Sequence, residues 1–152
     1  MTDAEKLQYL LDRAEIHDVV VRYALAIDMR DWALYATCFT DEVEMDLTEL
    51  RDEGDNPRYE KYSRADWVKL VTTLERYKAT QHVNTNFTIA VEGDEATCVS
   101  YIHAQLYAPD GRVESTWEII GYYTWDLART PDGWRIRRVK EWPRWLAGAR
   151  SL

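Results

Sequence analysis

The residues able to do acid–base chemistry are few in this 152-residue chain, because it holds only three histidines, His17, His82 and His103. His82 opens the segment TQHVNTN. Strand alternation sets His82, Asn84 and Asn86 on one face, with Val83, Thr85 and Phe87 on the other, unless a bulge intervenes. His103 lies in CVSYIHAQLY, where Tyr101, His103, Gln105 and Tyr107 share a face and Cys98, Ser100, Ile102 and Ala104 take the opposite one. A polar, aromatic strand face meets solvent or lines a pocket, and the tyrosines favour the pocket. Tyr101, His103 and Asn84 are therefore candidate substrate contacts. His17, beside Asp18 at the edge of an apolar helical stripe, reads as structural or exposed.

Asp28 is the carboxylate with the most to explain. It falls at the C-terminal end of a predicted long helix, where the helix dipole disfavours negative charge, so a cap or a histidine partner would offset its cost. A carboxylate beside an imidazole fixes the tautomer and stabilises the imidazolium, which makes the histidine a competent base near neutral pH. Pairing of Asp28 with His82 is the chemical hypothesis, against the blander expectation of a turn residue. Tyr23, five residues before Asp28, shares the broad inner side of the same helix.

Composition narrows what such a base would act on. A net charge of −8 argues against nucleic acid or an anionic membrane surface as partner. Seven Trp and ten Tyr against two Phe suit a pocket that is mostly dry yet offers hydrogen bonds to a small, weakly polar ligand. The late basic residues Arg135, Arg137, Arg138, Lys140, Arg144 and Arg150 alternate with apolar positions and read as a solvated face. Cys38 and Cys98 have neither metal-ligand spacing nor a secretion signal near them, and no run approaches membrane-spanning length. The expectation is a cytoplasmic protein without metal or other cofactor.

The elements that must position these groups form one α+β domain over residues 1–152. Apolar spacings of three and four mark a helix from Ala4 to Ile27, and Asp31 can cap a short second helix, DWALYATCF. EVEMDLTEL reads as a strand and RDEGDNPRYEKY as an exposed loop. Ser63 and Asp66 resemble a capping box for a third helix. Thereafter four long strands, separated by Gly93–Asp94 turn signals and two Pro-Asp-Gly triplets, predict a mostly antiparallel meander. Long strands in a small sheet coil, and the concave face partly covered by helices leaves a cone-shaped pocket. Trp117, Trp125 and Trp142, partly outward, would leave an apolar sheet face that a homodimer or homotrimer covers.

The segments VRYALAIDMRDWALYATCFTDEVEMD, QHVNTNFTIAVEGDEA and GWRIRRVKEWPRW resemble the SnoaL-like branch of the NTF2-like superfamily. That branch includes scytalone dehydratase, bile acid 7α-dehydratase and hexachlorocyclohexane dehydrochlorinase. The resemblance implies a curved-sheet cone and a cofactor-independent lyase of the dehydratase type. It makes Asp28 and His82 the catalytic dyad and Tyr23 a group that polarises an oxygen substituent. Arg144 matches a late pocket arginine and His103 a second pocket histidine. The alternatives are an isomerase or cyclase whose base is an isolated acid such as Asp46, and a non-catalytic binding or dimerisation module. RDEGDNPRYEKY departs from the family pattern.

Overall fold

Helix α1, Asp3–Asp28, begins at a cap in which the Thr2 hydroxyl accepts from the Glu5 N–H and the Glu5 carboxylate accepts from the Thr2 N–H, two otherwise orphaned donors satisfied together. In the computed structural model, which describes residues 1–47, 58–109 and 114–148, this helix lies against the inner face of a six-stranded sheet. Asp31 caps α2, Trp32–Ala36, by accepting from the Leu34 N–H at 2.9 Å. Ser63 caps α3, Arg64–Val71, by accepting from the Asp66 N–H at 3.1 Å. A 3-10 turn, Thr72–Arg76, follows.

The strands are β1 (Phe39–Asp46), β2 (Glu60–Ser63), β3 (Ala79–Glu92), β4 (Glu95–Pro109), β5 (Glu114–Thr130) and β6 (Gly133–Gly148). Their spatial order is β2-β1-β6-β5-β4-β3, antiparallel except for the parallel β1–β6 pair. The sheet is mixed and mostly antiparallel, with three helices against it, as the sequence predicts. One expected loop is partly strand: Glu60–Ser63 pairs with Glu42–Met45 at the edge that β1 would otherwise leave open. The remainder of that loop through residue 57, the end of the first expected strand and the first Pro-Asp-Gly turn lie partly or wholly outside the described residues.

Register breaks coil the long strands. In β3 the register shifts between Thr85 and Thr88, and Asn86 adopts φ 55°, a left-handed conformation that Asn tolerates better than most residues. Beyond this bulge Phe87, Ile89 and Val91 turn toward the core, the face that His82 and Asn84 occupy before it. A second shift falls between Ile120 and Gly121. There a Cβ on Gly121 would lie 2.1 Å from the Trp142 carbonyl oxygen, so the close approach of the two strands needs glycine.

The core joins Ile16, Val19, Val20, Tyr23 and Ile27 of α1 to Cys98, Trp125, Leu127, Trp134 and Ile136 of the sheet. The three tryptophans expected to look outward divide: Trp125 is fully buried, Trp117 packs against the core, and Trp142 stacks on Tyr122 at 5.9 Å. Cross-strand parity explains the split, because Trp125 sits opposite inward Cys98 whereas Trp142 sits opposite outward Tyr122. Among the described residues no helix is long and apolar enough to cross a membrane.

One buried charge anchors α1 to the sheet. Asp12, 4% exposed, accepts from Arg129 through both carboxylate oxygens at 2.7 and 2.8 Å and from the Trp134 indole N–H at 3.1 Å. The Arg129 hydrogen bonds pull the Asp12 carboxyl down to about 2 against burial, which acts in the opposite sense. Because the folded value lies below the unfolded one, this stabilisation is complete above the ordinary carboxyl range and is lost as pH falls from about 4 toward 2. Asp12→Ala is expected to cost about 2–3 kcal/mol and to flatten the acid limb of a urea-midpoint profile between those pH values.

Candidate functional site

Three donors converge on the last residue of α1. The Asp28 carboxylate accepts from the Thr80 hydroxyl at 2.9 Å, the His82 backbone N–H at 2.8 Å and His82 Nδ1 at 2.7 Å. These bonds satisfy a carboxylate that the helix dipole opposes, and they come from β3, whose alternation sends Thr80 and His82 to the same face. The His82 and Asp28 side chains are 8% and 20% exposed, so the pair is largely removed from bulk water. An ionised carboxylate only accepts, so the neutral imidazole carries its proton on Nδ1 and offers Nε2 as the basic nitrogen.

His82 lines a cavity of about 150 Å³. Tyr23 and Ile27 of α1, Tyr77 after the 3-10 turn, Leu106 of β4, Trp117, Ile119 and Tyr123 of β5, and Glu141 of β6 close it. The lining is largely apolar and aromatic, completed by Leu47, Leu74 and the cationic Arg76, and within it the Tyr123 hydroxyl donates to Glu141 at 3.1 Å. Tyr23, 3% exposed, packs its ring 5.0 Å from Trp125 and 5.1 Å from Tyr35. Its hydroxyl is hydrogen-bonded to Tyr35, whose own oxygen accepts from the Trp67 indole N–H at 3.1 Å. Burial raises the Tyr23 and Tyr123 hydroxyls well above the usual phenol range and the nearby Glu141 carboxylate adds to it, so both remain neutral. A larger cavity of about 380 Å³ between β1, β2 and α3 shares Leu47 and Leu74 with this one.

Other positions singled out in the sequence lie elsewhere. His103 is on the outer sheet face, with Nε2 2.7 Å from a Glu118 carboxylate oxygen, and Tyr101 is 56% exposed on that same face. The expected orientation of this strand is thus reversed: small and aliphatic Cys98, Ser100, Ile102, Ala104 and Leu106 take the buried side, because only they pack beneath the helices without stranding polar groups. Arg144 is exposed, its guanidinium 5.3 Å from the centre of the Tyr122 ring, outside the cavity. The β5–β6 register passes from Gly121↔Pro143 to Ile120↔Trp145, so Arg144 falls in the skipped position. Asn84 does face inward, and its Oδ1 accepts from the Ser100 hydroxyl at 3.3 Å while its buried Nδ2 has no partner. Asp46 is ion-paired with Lys140 at 3.3 Å and accepts from the Arg58 N–H, and it borders the larger cavity. His17 packs on Phe87 at 4.4 Å in an exposed position.

Sequence reasoning found Tyr23 and His82 but missed the other cavity residues, Glu141, Tyr123, Trp117 and Arg76 among them. Strict alternation from Trp134 would send Glu141 outward, but the β5–β6 register shifts past Arg137 and turns Val139 and Glu141 inward. The available signal was the three-residue step from Ile136 to Val139, which breaks the period of two. Cys38 and Cys98 are buried, and burial pushes both thiols up to about 12, which removes them from nucleophilic chemistry. Among the described residues no group of three or more His, Cys, Asp or Glu is placed to hold a metal ion.

The SnoaL-like domain model matches residues 8–140. An uncharacterized protein of Mycobacterium tuberculosis strain H37Rv is 34% identical over 131 residues, spanning 85% of this chain and 84% of its own. Among solved structures, a Kribbella flavida protein superposes with a TM-score of 0.81 at 27% identity over 95% of both chains. Two Novosphingobium aromaticivorans structures each give 0.77. The one named as an aromatic ring hydroxylase is 25% identical over 92% of this chain and 94% of its own. The one named as a scytalone dehydratase is 17% identical over 95% and 91%, a likeness of fold.

The hydrogen bond from His82 Nδ1 to Asp28 makes a spectroscopic prediction. Nitrogen-15 NMR of the side chain in its neutral form is expected to show Nδ1 protonated and Nε2 bare. In Asp28→Ala the constraint is removed and the pattern shifts toward the Nε2-protonated tautomer.

Proposed function

The chain belongs to the SnoaL-like domain family, and on that premise we propose that it is a cofactor-independent lyase acting on a small, largely apolar ring compound. His82 removes a C–H proton beside a carbonyl through Nε2, the electron pair forms the new double bond, and a hydroxyl or comparable group departs. Asp28 holds the imidazole in orientation and stabilises the imidazolium that forms. Tyr23, neutral and facing the cavity, donates toward the carbonyl oxygen as charge develops there.

The observation that carries this proposal is the 2.7 Å contact between His82 and Asp28 at the wall of a cavity of ring-compound size. The apolar and aromatic lining supports a ring substrate, and the names of the two Novosphingobium structures concern ring compounds as well. The outer positions of His103, Tyr101 and Arg144 leave them out of this mechanism. Tyr101, the Tyr122–Trp142 stack and Trp145, 59% exposed, belong instead to an outer face that a homodimer or homotrimer would cover.

The decisive assay incubates the protein with cyclic β-hydroxy ketones and follows loss of water by mass spectrometry. His82→Gln is expected to slow turnover by about 10²–10⁴-fold while leaving circular dichroism unchanged. Product of unchanged mass would favour an isomerase. Ligand binding without turnover across the panel would favour a binding module. Sedimentation of the wild type reads the assembly, with a dimer or trimer expected.

A further inference from the structure

The cavity of about 150 Å³ that His82 lines does not stand alone. Leu47, just past the end of β1, and Leu74 in the 3-10 turn also line the larger cavity of about 380 Å³ between β1, β2 and α3. The two spaces therefore adjoin at a pair of leucine side chains, both partly buried and packed against the core. The boundary between them is apolar on both sides.

The wall of the larger cavity is graded. Met45, Trp67 and Val71 are buried, whereas Arg58, Glu60 and Thr73 are exposed. Polar atoms at the buried end are engaged within the protein: the Trp67 indole N–H donates to the Tyr35 hydroxyl at 3.1 Å, and Asp46 accepts from the Arg58 N–H and is ion-paired with Lys140 at 3.3 Å. The Tyr62 hydroxyl donates to Glu60, and its ring lies 5.4 Å from that of Trp67. A ligand that reaches the buried end meets ring faces and aliphatic carbon. It gains affinity there by removing apolar surface from water rather than by hydrogen bonding.

We propose that the larger cavity is a second substrate subsite, which holds an extended apolar substituent on the ring whose C–H bond faces His82. A cavity of about 150 Å³ holds one six-membered ring, so a longer substrate has to continue elsewhere, and the apolar boundary at Leu47 and Leu74 directs it into the larger space. The substrate class that follows is a cyclic ketone bearing a hydrocarbon chain or a further hydrocarbon ring, not a bare ring. This inference rests on the smaller cavity being the substrate site proposed above, but it does not require that His82 be the base.

The test measures binding of cyclohexanone, 4-propylcyclohexanone and 4-hexylcyclohexanone to the wild-type protein by calorimetry. None of the three carries a leaving group, so no probe is lost by elimination. Affinity is expected to rise about three- to fourfold for each methylene that enters the larger cavity. Leu70 lines only the larger cavity and is 46% exposed, so Leu70→Asp sets a charge in that wall without disturbing the core. It should remove most of the chain-length gain and leave cyclohexanone affinity nearly unchanged. A second measurement needs no variant: nuclear Overhauser contacts from the terminal methyl of the hexyl chain are expected at the Met45 methyl and the Trp67 ring. Affinity independent of chain length, a gain that survives Leu70→Asp, or a terminal methyl without contact to Met45 and Trp67 would overturn the second subsite while leaving the ring site standing. Failure of all three ketones to bind would overturn both.

Discussion

Long strands can enclose a cavity only if they coil, and in this protein the coiling is concentrated where the hydrogen-bond register slips. The shifts at Thr85/Thr88 in β3 and those opposite Ile120/Gly121 and Asp126/Leu127, where β6 carries the extra residues Arg144 and Arg137, each add a residue to one strand and exchange which of its side chains face inward. The site depends on them. Before the β3 bulge His82 faces α1, and after it Phe87 and Ile89 take over the same side as core. After the β5–β6 slip Glu141 enters the cavity in place of its neighbours Lys140 and Trp142. Without these slips, strict alternation would not put His82, Ile89 and Glu141 on one concave surface.

Within that frame, charge is placed where donors wait for it. Asp28 ends a helix whose dipole opposes it, and three donors from β3 compensate. Asp12 is held by Arg129 and Trp134, and Arg138 bridges Glu44 and Asp126 across neighbouring strands. Even the most buried cation, Lys140, lies against Asp46 and 4.5 Å from the centre of the Trp142 ring. Inside the smaller cavity His82 and Glu141 face space that a ligand can fill, as Asp46 and Arg58 do at the larger one. The low polarity there strengthens every hydrogen bond a substrate makes and penalises every one it omits.

The hydroxyls of Tyr23, Tyr35 and Tyr123 share this logic. Burial keeps each one protonated, so that Tyr123 donates to Glu141 while the Tyr35 oxygen accepts from the Trp67 indole N–H. Their rings meet at centroid distances of 5.1 and 6.3 Å, with Tyr23 and Tyr123 lining the cavity and Tyr35 packed against Tyr23. The skew of this chain toward Tyr over Phe, ten against two, thereby serves packing and hydrogen bonding at once.

Local signals in the sequence determined most of the elements. The three- and four-residue spacing of α1, the caps at Asp31 and Ser63 and the turns at Gly93 and Gly133 act over a few residues and are written in those residues. Asp28 and His82 were also legible as candidates, because their types and the family resemblance converge on them. Tertiary structure decided what depends on register between distant strands. His103, Tyr101 and Arg144 went to the outer face, Glu141 came inside, and Glu60–Ser63 became a strand against β1. A bulge costs a single residue in the chain yet inverts every position beyond it, and its placement follows from packing across the sheet.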